Sequence, residues 1–96
     1  MLDALSALQD WYAKHANGDW EHQYGVSIDT IDNPGWILKI DLTETDLAAK
    51  PFQRVNREGS ESDWVRCWVD NGTFHAAGGP NNLTEMIETF LAFANS

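Results

Sequence analysis

The residues with the greatest potential for chemistry lie close together near the start of the chain. Asp19, Glu21 and His22 fall within four positions, and carboxylates beside an imidazole can serve general acid–base catalysis or metal binding. No nucleophile motif accompanies them, and adjacent residues of an extended backbone point in opposite directions. Because most carboxylates of an acidic protein are solvated, we interpret this segment as an acidic docking loop. We predict that the chain is not an enzyme.

Three histidines and one cysteine are the nitrogen and sulfur groups available to a transition metal: His15, His22, His75 and Cys67. Their spacing lacks the short pairs of a zinc site, so we predict no metal and no cofactor. A single cysteine forms no intrachain disulfide, so nothing requires an oxidising compartment. Asp3 stands where a signal peptide would be basic, and no apolar run approaches the ~20 residues that span a bilayer. We therefore expect a cytoplasmic protein.

Length and composition predict a single domain over residues 1–96. Of the 96 residues, 43% are apolar and 22% are charged, which is typical of a globular domain with one core. Fifteen acidic residues against six basic ones give a net charge of −9, which repels nucleic-acid phosphates and anionic membranes. The acidity either steers a basic partner to the protein or serves solubility alone. Five tryptophans are many for one small core. We expect some of them to face a partner or solvent.

Hydrophobic periodicity predicts an amphipathic helix at the start of the chain, from Leu2 to Ala16. Asp3 favours its N-terminus, and Asn17-Gly18 can take the left-handed conformation that closes it. The residues that recur at helical spacing, and that we expect on the inner face, are Leu5, Leu8, Tyr12 and His15.

A second helix is predicted from Leu83 to about Ala94. Asn82 with Glu85 three residues later forms a capping box at its start. Met86 and Phe93 widen its apolar stripe, either as core packing or as a homodimer contact. The expected inner stripe is Leu83, Ile87, Phe90, Leu91 and Ala94.

Two hairpins are predicted between these helices. Strands at Val26 to Ile31 and Trp36 to Leu42 flank Asn33-Pro34-Gly35, where proline and glycine favour a type II turn with a positive φ at Gly35. Strands at Trp64 to Val69 and Thr73 to Ala77 flank Asn71-Gly72, which favours a type I′ turn.

Two further segments complete the chain. Thr43 to Lys50 resembles a short helical turn that ends at Pro51. Phe52 to Glu58 is polar and contains two arginines, so we predict an edge strand. Trp64 to Val69, with its alternating apolar residues, is expected to be central.

The element order predicts an α+β fold, an antiparallel sheet of about five strands with the N- and C-terminal helices packed on one face. The opposite face would contain Trp64, Arg66 and Trp68, an aromatic and arginine cluster of the kind enriched at interfaces. The residues that we predict to contact a partner are Asp19, Trp20, Glu21, His22, Asp29, Asp32, Trp64, Arg66 and Trp68.

Several motifs along most of the chain resemble those of the bacterial immunity protein 53 family. The matching segments are Asn17 to His22, Tyr24-Gly25, Thr30 to Trp36, Ile40 to Leu42, Asp63-Trp64, Cys67, Gly78 to Asn81 and Asn82-Leu83. The resemblance departs from the expected pattern at Asn17, where an acidic residue would be typical.

The resemblance implies membership of a bacterial polymorphic toxin system, in which a small cytoplasmic protein binds and neutralises the toxin domain encoded beside it. It implies no particular binding residues, so the contact residues above come from residue types alone. A nuclease is one candidate toxin, because a basic nuclease groove would attract an acidic protein. The alternative is a small-ligand module or enzyme with a pocket near Asp19, Glu21 and His22.

Overall fold

The computed structural model describes residues 3–96, which form eight helices and strands. In chain order they are α1 (Ala4–His15), α2 (Trp20–Gln23), β1 (Val26–Ile31), β2 (Gly35–Asp41), β3 (Val55–Ser60), β4 (Asp63–Asp70), β5 (Thr73–Gly78) and α3 (Leu83–Ala94). The strands form one antiparallel sheet in the order β1-β2-β5-β4-β3. Helices α1 and α3 pack on the same face of the sheet around one apolar core. The predicted α+β class is confirmed.

Helix α1 has the predicted capping group at its N-terminus but not at its C-terminus. Asp3 is its N-cap and accepts a hydrogen bond from the Ser6 backbone N–H at 2.7 Å. At the other end the helix closes at Ala16, whose N–H donates to the Tyr12 carbonyl oxygen at 3.0 Å. Gly18 has the predicted left-handed conformation, with a φ of 98°, but its N–H donates to Glu21 and not to α1. The predicted start at Leu2 lies outside the described residues.

The inner face of α1 differs from the predicted stripe. Leu8 is buried as expected, but Leu5 and Tyr12 are exposed, and Trp11 packs against the core in their place. The cause is the position of α3, because the Trp11 ring meets the Phe90 ring edge-on at 5.0 Å. The face of α1 that packs on the core is therefore rotated about the helix axis, toward Trp11 and away from Leu5 and Tyr12.

The β1–β2 hairpin forms, but its predicted type II turn is wrong. Gly35 has no positive φ and instead pairs with Ile31 as the first residue of β2. A Cβ atom at Gly35 would collide with the carbonyl oxygen of Gly78 on β5. The glycine is therefore needed for the close approach of two strands and not for the conformation of a turn.

The β4–β5 hairpin confirms the predicted type I′ turn. Asn71 and Gly72 have φ values of 51° and 77°, and Asp70 pairs directly with Thr73 across the two-residue loop. Strand β4 pairs with a strand on each side, as expected for a central strand, and the middle position of the sheet belongs to β5. Strand β4 is its neighbour, and β3 lies at the edge as predicted, although it begins three residues later than expected, at Val55.

The connector between β2 and β3 consists of separate turns and not of a helical segment. The Thr45, Ala48 and Lys50 N–H groups each donate to the carbonyl three residues earlier. Glu44 has a φ of 63°, which is incompatible with a continuous helix at that point.

The predicted capping box of α3 is wrong. Asn82 is the N-cap residue, but its side chain makes no capping bond. Its amide oxygen instead accepts from the Trp64 N–H at 3.4 Å, and its amide nitrogen donates to Asp63 Oδ1 at 3.0 Å. Contacts with β4 therefore take the place of a local cap.

The buried residues of α3 settle the alternatives for Met86 and Phe93. Both are buried in the core, as are Ile87 and Phe90. Leu83, Leu91 and Ala94, predicted for the inner stripe, pack against the core while only partly buried. The wide apolar stripe is accounted for by packing within this chain. Between Asp3 and Ser96 we find no helix with the length and apolarity that a membrane crossing requires.

We expect Gly35→Ala to lower the free energy of unfolding by at least about 2 kcal/mol, because its methyl group would overlap the Gly78 carbonyl. Gly25→Ala is the matched control, since a Cβ there has no neighbour within 4 Å and the residue has no positive φ. The control should change stability by less than about 1 kcal/mol. Urea denaturation of both variants measures the difference, and equal effects would contradict the close-approach explanation.

Candidate functional site

The predicted acidic loop is a capped helical turn. Glu21 accepts hydrogen bonds from the N–H groups of Asn17 at 2.9 Å and Gly18 at 2.8 Å. The Asn17 side-chain oxygen accepts in return from the N–H groups of Asp19 and Trp20, each at 3.0 Å. Backbone N–H groups, first that of Glu21 itself and then those of Gly18 and Asn17, lower the pKa of the Glu21 carboxyl. The role of Glu21 in the structure is to hold α2 in place.

Trp20 is an interior residue with 4% of its surface exposed. Its ring nitrogen donates to the Thr43 carbonyl oxygen at 2.9 Å. The ring packs against Trp11 at 5.9 Å and against Tyr12 and Tyr24 at 6.1 Å between centroids. Trp20 therefore joins α1 to the end of β2, and its ring is not available to a partner.

The other residues predicted for the interface in the first half of the chain, three aspartates and one histidine, are exposed but dispersed. Asp19 and His22 belong to the α2 turn, Asp29 lies on β1, and Asp32 lies in the β1–β2 turn. Four grooves formed by residues 3–96 are lined by other residues, with none from Asp19, Glu21 or His22. None of these four grooves supports the alternative of a ligand pocket at this turn.

The structure gathers the remaining predicted residues on one surface. Successive side chains of β4 point to opposite faces of the sheet. Val65 and Cys67 face the core, while Trp64, Arg66 and Trp68 lie on the opposite face. That face is turned away from α1 and α3. Of the nine predicted contact residues, these three form the compact cluster.

Two residues that sequence reasoning did not select complete this cluster. His75 on β5 lies directly opposite Trp68, and the rings stack at 5.2 Å with an interplanar angle of 8°. The Arg54 guanidinium lies 5.8 Å from the Trp68 ring centroid. On the same surface the Arg66 guanidinium lies 5.3 Å from the Trp64 ring. We call the five residues the tryptophan face.

The tryptophan face is shaped by two open grooves. One has a volume of about 540 Å³ and is lined by Arg54, Val55, Asn56, Arg66 and Trp68. The other, about 660 Å³, extends from Trp64 and Arg66 to Glu58, where Arg66 makes an ion pair of 3.1 Å. In residues 3–96, Arg54 has no ion pair of its own, so its charge is available to a carboxylate.

The hairpin that carries Trp64 is fastened to α3 by an ion network. Arg57 on β3 donates to Glu85 at 2.6 Å and 2.7 Å and to Asp63 at 2.8 Å. The guanidinium lowers the pKa of both carboxyls, and the Asn82 amide adds to the effect. This network fixes the start of β4, and with it the position of the Trp64 ring.

The remaining nitrogen and sulfur groups have structural surroundings. His15 Nδ1 lies 2.9 Å from the Trp11 carbonyl oxygen within α1. Cys67 is buried, and loss of hydration raises the pKa of its thiol to about 11, so the reactive thiolate is disfavoured. Among the described residues, no group of three or more His, Cys, Asp and Glu side chains is placed to hold a metal ion.

Fold and surface together define a small α+β protein whose open sheet face has clustered aromatic and arginine side chains, residue types that are enriched at protein interfaces. The family model described as Immunity protein 53 matches residues 5–95. The chain belongs to that family, which supports an immunity function. No curated protein and no solved structure matches the chain.

We expect Arg57→Met to lower the melting temperature at pH 7, because Asp63 and Glu85 would lose their common cation. The pKa of each carboxyl is lower in the folded protein than in the unfolded chain, where it is about 4. Each carboxylate therefore stabilises the fold fully above the unfolded pKa, and this stabilisation is lost as the pH falls through the folded-state pKa. The difference between wild type and variant should therefore shrink below about pH 4.

Arg66→Met is the matched control for this prediction. It removes the more exposed Arg66–Glu58 pair, which solvent screens, so its effect on the melting temperature should be small at every pH. Scanning calorimetry from pH 7 to pH 3 gives both series. If the difference in melting temperature between wild type and Arg57→Met is the same at pH 3 as at pH 7, the loss of stability is caused by packing and not by the ion network.

Proposed function

We propose that this chain is an immunity protein that binds the toxin domain encoded beside it and neutralises it by covering the active site of the toxin. The observation that supports this most directly is the family match over residues 5–95. The family suggests inhibition by binding, so we propose no catalytic residue. The proposed compartment is the cytoplasm of the producing cell, where its own toxin must be silenced.

We propose the tryptophan face as the principal contact surface. Four of its five side chains project from β-strands and Arg54 lies just before β3, and all five make stacking or cation–aromatic contacts within the chain. Side chains fixed in this way lose little conformational entropy on binding. Tryptophan and arginine are also the residues that most often dominate binding energy when a partner covers them. The surface therefore has the composition and the rigidity of an anchor.

Acidic residues outside the tryptophan face are proposed to act at longer range. Asp19, Asp29 and Asp32 are exposed, and the whole chain has a net charge of −9. Such a field accelerates the approach of a basic partner more than it strengthens the final complex. A nuclease is a suitable toxin class, because an active site that binds nucleic-acid phosphate is basic. Trp20 and Glu21 have structural roles, and we leave them out of the proposed contact.

We expect nanomolar binding between this protein and the C-terminal toxin domain encoded immediately upstream, together with rescue of growth in cells that express the toxin. Trp68→Ala should weaken binding by about 30-fold or more, because it removes the ring that joins Arg54 and His75. Glu88→Ala on the exposed side of α3 is the control and should bind like wild type.

Isothermal titration calorimetry measures the affinities, and circular dichroism verifies that each variant is folded. Absence of binding by wild type to a folded, active toxin domain would refute the proposed function. Wild-type binding with no loss in Trp68→Ala would retain the function but exclude the tryptophan face as the anchor.

A further inference from the structure

The exposed large hydrophobic side chains of the described chain gather in one place, on the side of the sheet opposite the tryptophan face. They are Leu5, Tyr12 and Ile28, with 53%, 39% and 36% of their surface exposed. All three line a groove of about 240 Å³ between α1 and β1, with Leu8, Gln9 and Val26. Packing inside the chain leaves this apolar groove open, and clustered exposed apolar side chains mark interaction sites.

The groove runs beside the free edge of the sheet, because β1 is an outer strand. The Asp41 N–H donates to the Gly25 carbonyl at 3.0 Å, which makes that pair a hydrogen-bonded one. Bonded and non-bonded pairs alternate along an antiparallel ladder whose register continues without interruption from Val26 to Ile31. The residues whose N–H and C=O groups point outward are therefore Val26, Ile28 and Thr30.

The two edge strands of the sheet, β1 and β3, differ in how well they are protected against pairing with a strand from another chain. At the β3 edge the register shifts between Glu58 and Ser60, and Arg57 and Glu58 both make ion pairs. A bulge and charged side chains are devices that prevent another strand from adding. The β1 edge has the sequence VSIDTI, with a regular register and one charge. Of the two edges, β1 is therefore the less protected against the addition of a strand.

The negative charge at the β1 edge indicates which kind of strand would pair there. Ile28 lines the groove, and its neighbour Asp29 points to the other face of the sheet, where it has no ion pair within residues 3–96. A lysine or arginine opposite Asp29 would form a favourable cross-strand pair. A second copy of this chain would instead bring together two molecules of charge −9 and two Asp29 carboxylates. The occupant is thus a basic partner and not a second copy.

We propose that an extended segment of the toxin adds to β1 as a sixth strand, with apolar side chains in the groove of Leu5, Tyr12 and Ile28 and a basic side chain opposite Asp29. The inference rests on the proposed function for the source of the segment. It adds a second contact, made through the backbone, to the anchor on the tryptophan face. Main-chain bonds supply affinity in this mode of recognition, and the alternating side chains supply specificity.

Amide exchange measured by NMR tests the strand directly, because the two sets of β1 amides should respond differently. On binding the toxin domain, the Ile28 and Thr30 amides should exchange at least about tenfold more slowly, since their N–H groups gain partners. The Ser27 and Asp29 amides already bond to β2 and should change little. Unchanged exchange at Ile28 and Thr30 in a saturated complex would overturn the proposal.

Substitutions give a second, independent test. Thr30→Pro removes one outward N–H from an edge strand, where proline is tolerated, and should weaken toxin binding by about tenfold or more. Thr30→Ala is its matched control, because it loses the same side chain but keeps the N–H, and it should bind like wild type. If Thr30→Pro does not fold, Leu5→Glu serves instead, since it places a carboxylate in the groove from an exposed helix position. Wild-type affinity in the folded variant would overturn the proposal.

A further experiment distinguishes failure of the proposed function from failure of the β1 edge site. If wild type does not bind the toxin domain at all, the inference is decided with a nine-residue peptide that alternates valine and lysine. Slower exchange of the Ile28 and Thr30 amides with this peptide, and not with its valine–glutamate counterpart, supports the edge site. No slowing at millimolar peptide overturns it. Concentration-dependent protection of the same amides in the free protein would show that a second copy occupies the edge, and would also overturn it.

Discussion

The two-residue turn between β4 and β5 is the constraint on which the rest of the structure depends. Because Asp70 pairs with Thr73, Phe74 is directed into the core and His75 to the opposite face. Phe74 is fully buried and meets Phe90 of α3 at 5.2 Å. A slip of one residue would exchange the two faces and expose the phenylalanine. The position of β5 in the middle of the sheet carries this register into the neighbouring strands on both sides.

The sequence predicts the fold well where local chemistry and tertiary packing agree. Asn71-Gly72 specifies a turn that few other dipeptides can form, and Asp3 caps α1 without help from distant residues. The predicted turn also fixed the register that stacks His75 on Trp68, so this contact could have been predicted by counting outward from the turn. Arg54 could not, because its distance from Trp68 depends on how the chain enters β3.

The predictions from sequence are wrong where a contact with a residue distant in sequence overrides a local conformational preference. Gly35 follows proline in a sequence typical of a type II turn, yet the Gly78 backbone on another strand determines its conformation. Asn82 and Glu85 have the spacing of a capping box, but β3 and β4 offer them charged partners of greater strength. Trp20 lies in an acidic, polar segment and is nevertheless buried, since α1 presents aromatic rings to it. In each case the deciding neighbour is remote in sequence.

The charge of the molecule and the chemistry of its surfaces act at different distances. The net charge of −9 acts on an approaching partner over about one screening length, roughly 8 Å, whereas at contact only neighbouring groups matter. There the tryptophan face offers arginine and aromatic rings, whereas the β1 edge offers backbone groups and apolar side chains. Strands β1 and β4 are three places apart in the sheet, roughly 14 Å, so one partner can reach both.

A typical interface buries about 800 Å² on each partner, a modest part of the 6004 Å² of accessible surface of this domain. A toxin that wraps one edge of the sheet and continues across its open face would bury such an area without displacing α1 or α3. The helices and the core could then remain unchanged on binding, and the energy of association would not be spent on rearranging the fold. Under the proposed function, the protein would thus need no change of fold before it binds its toxin.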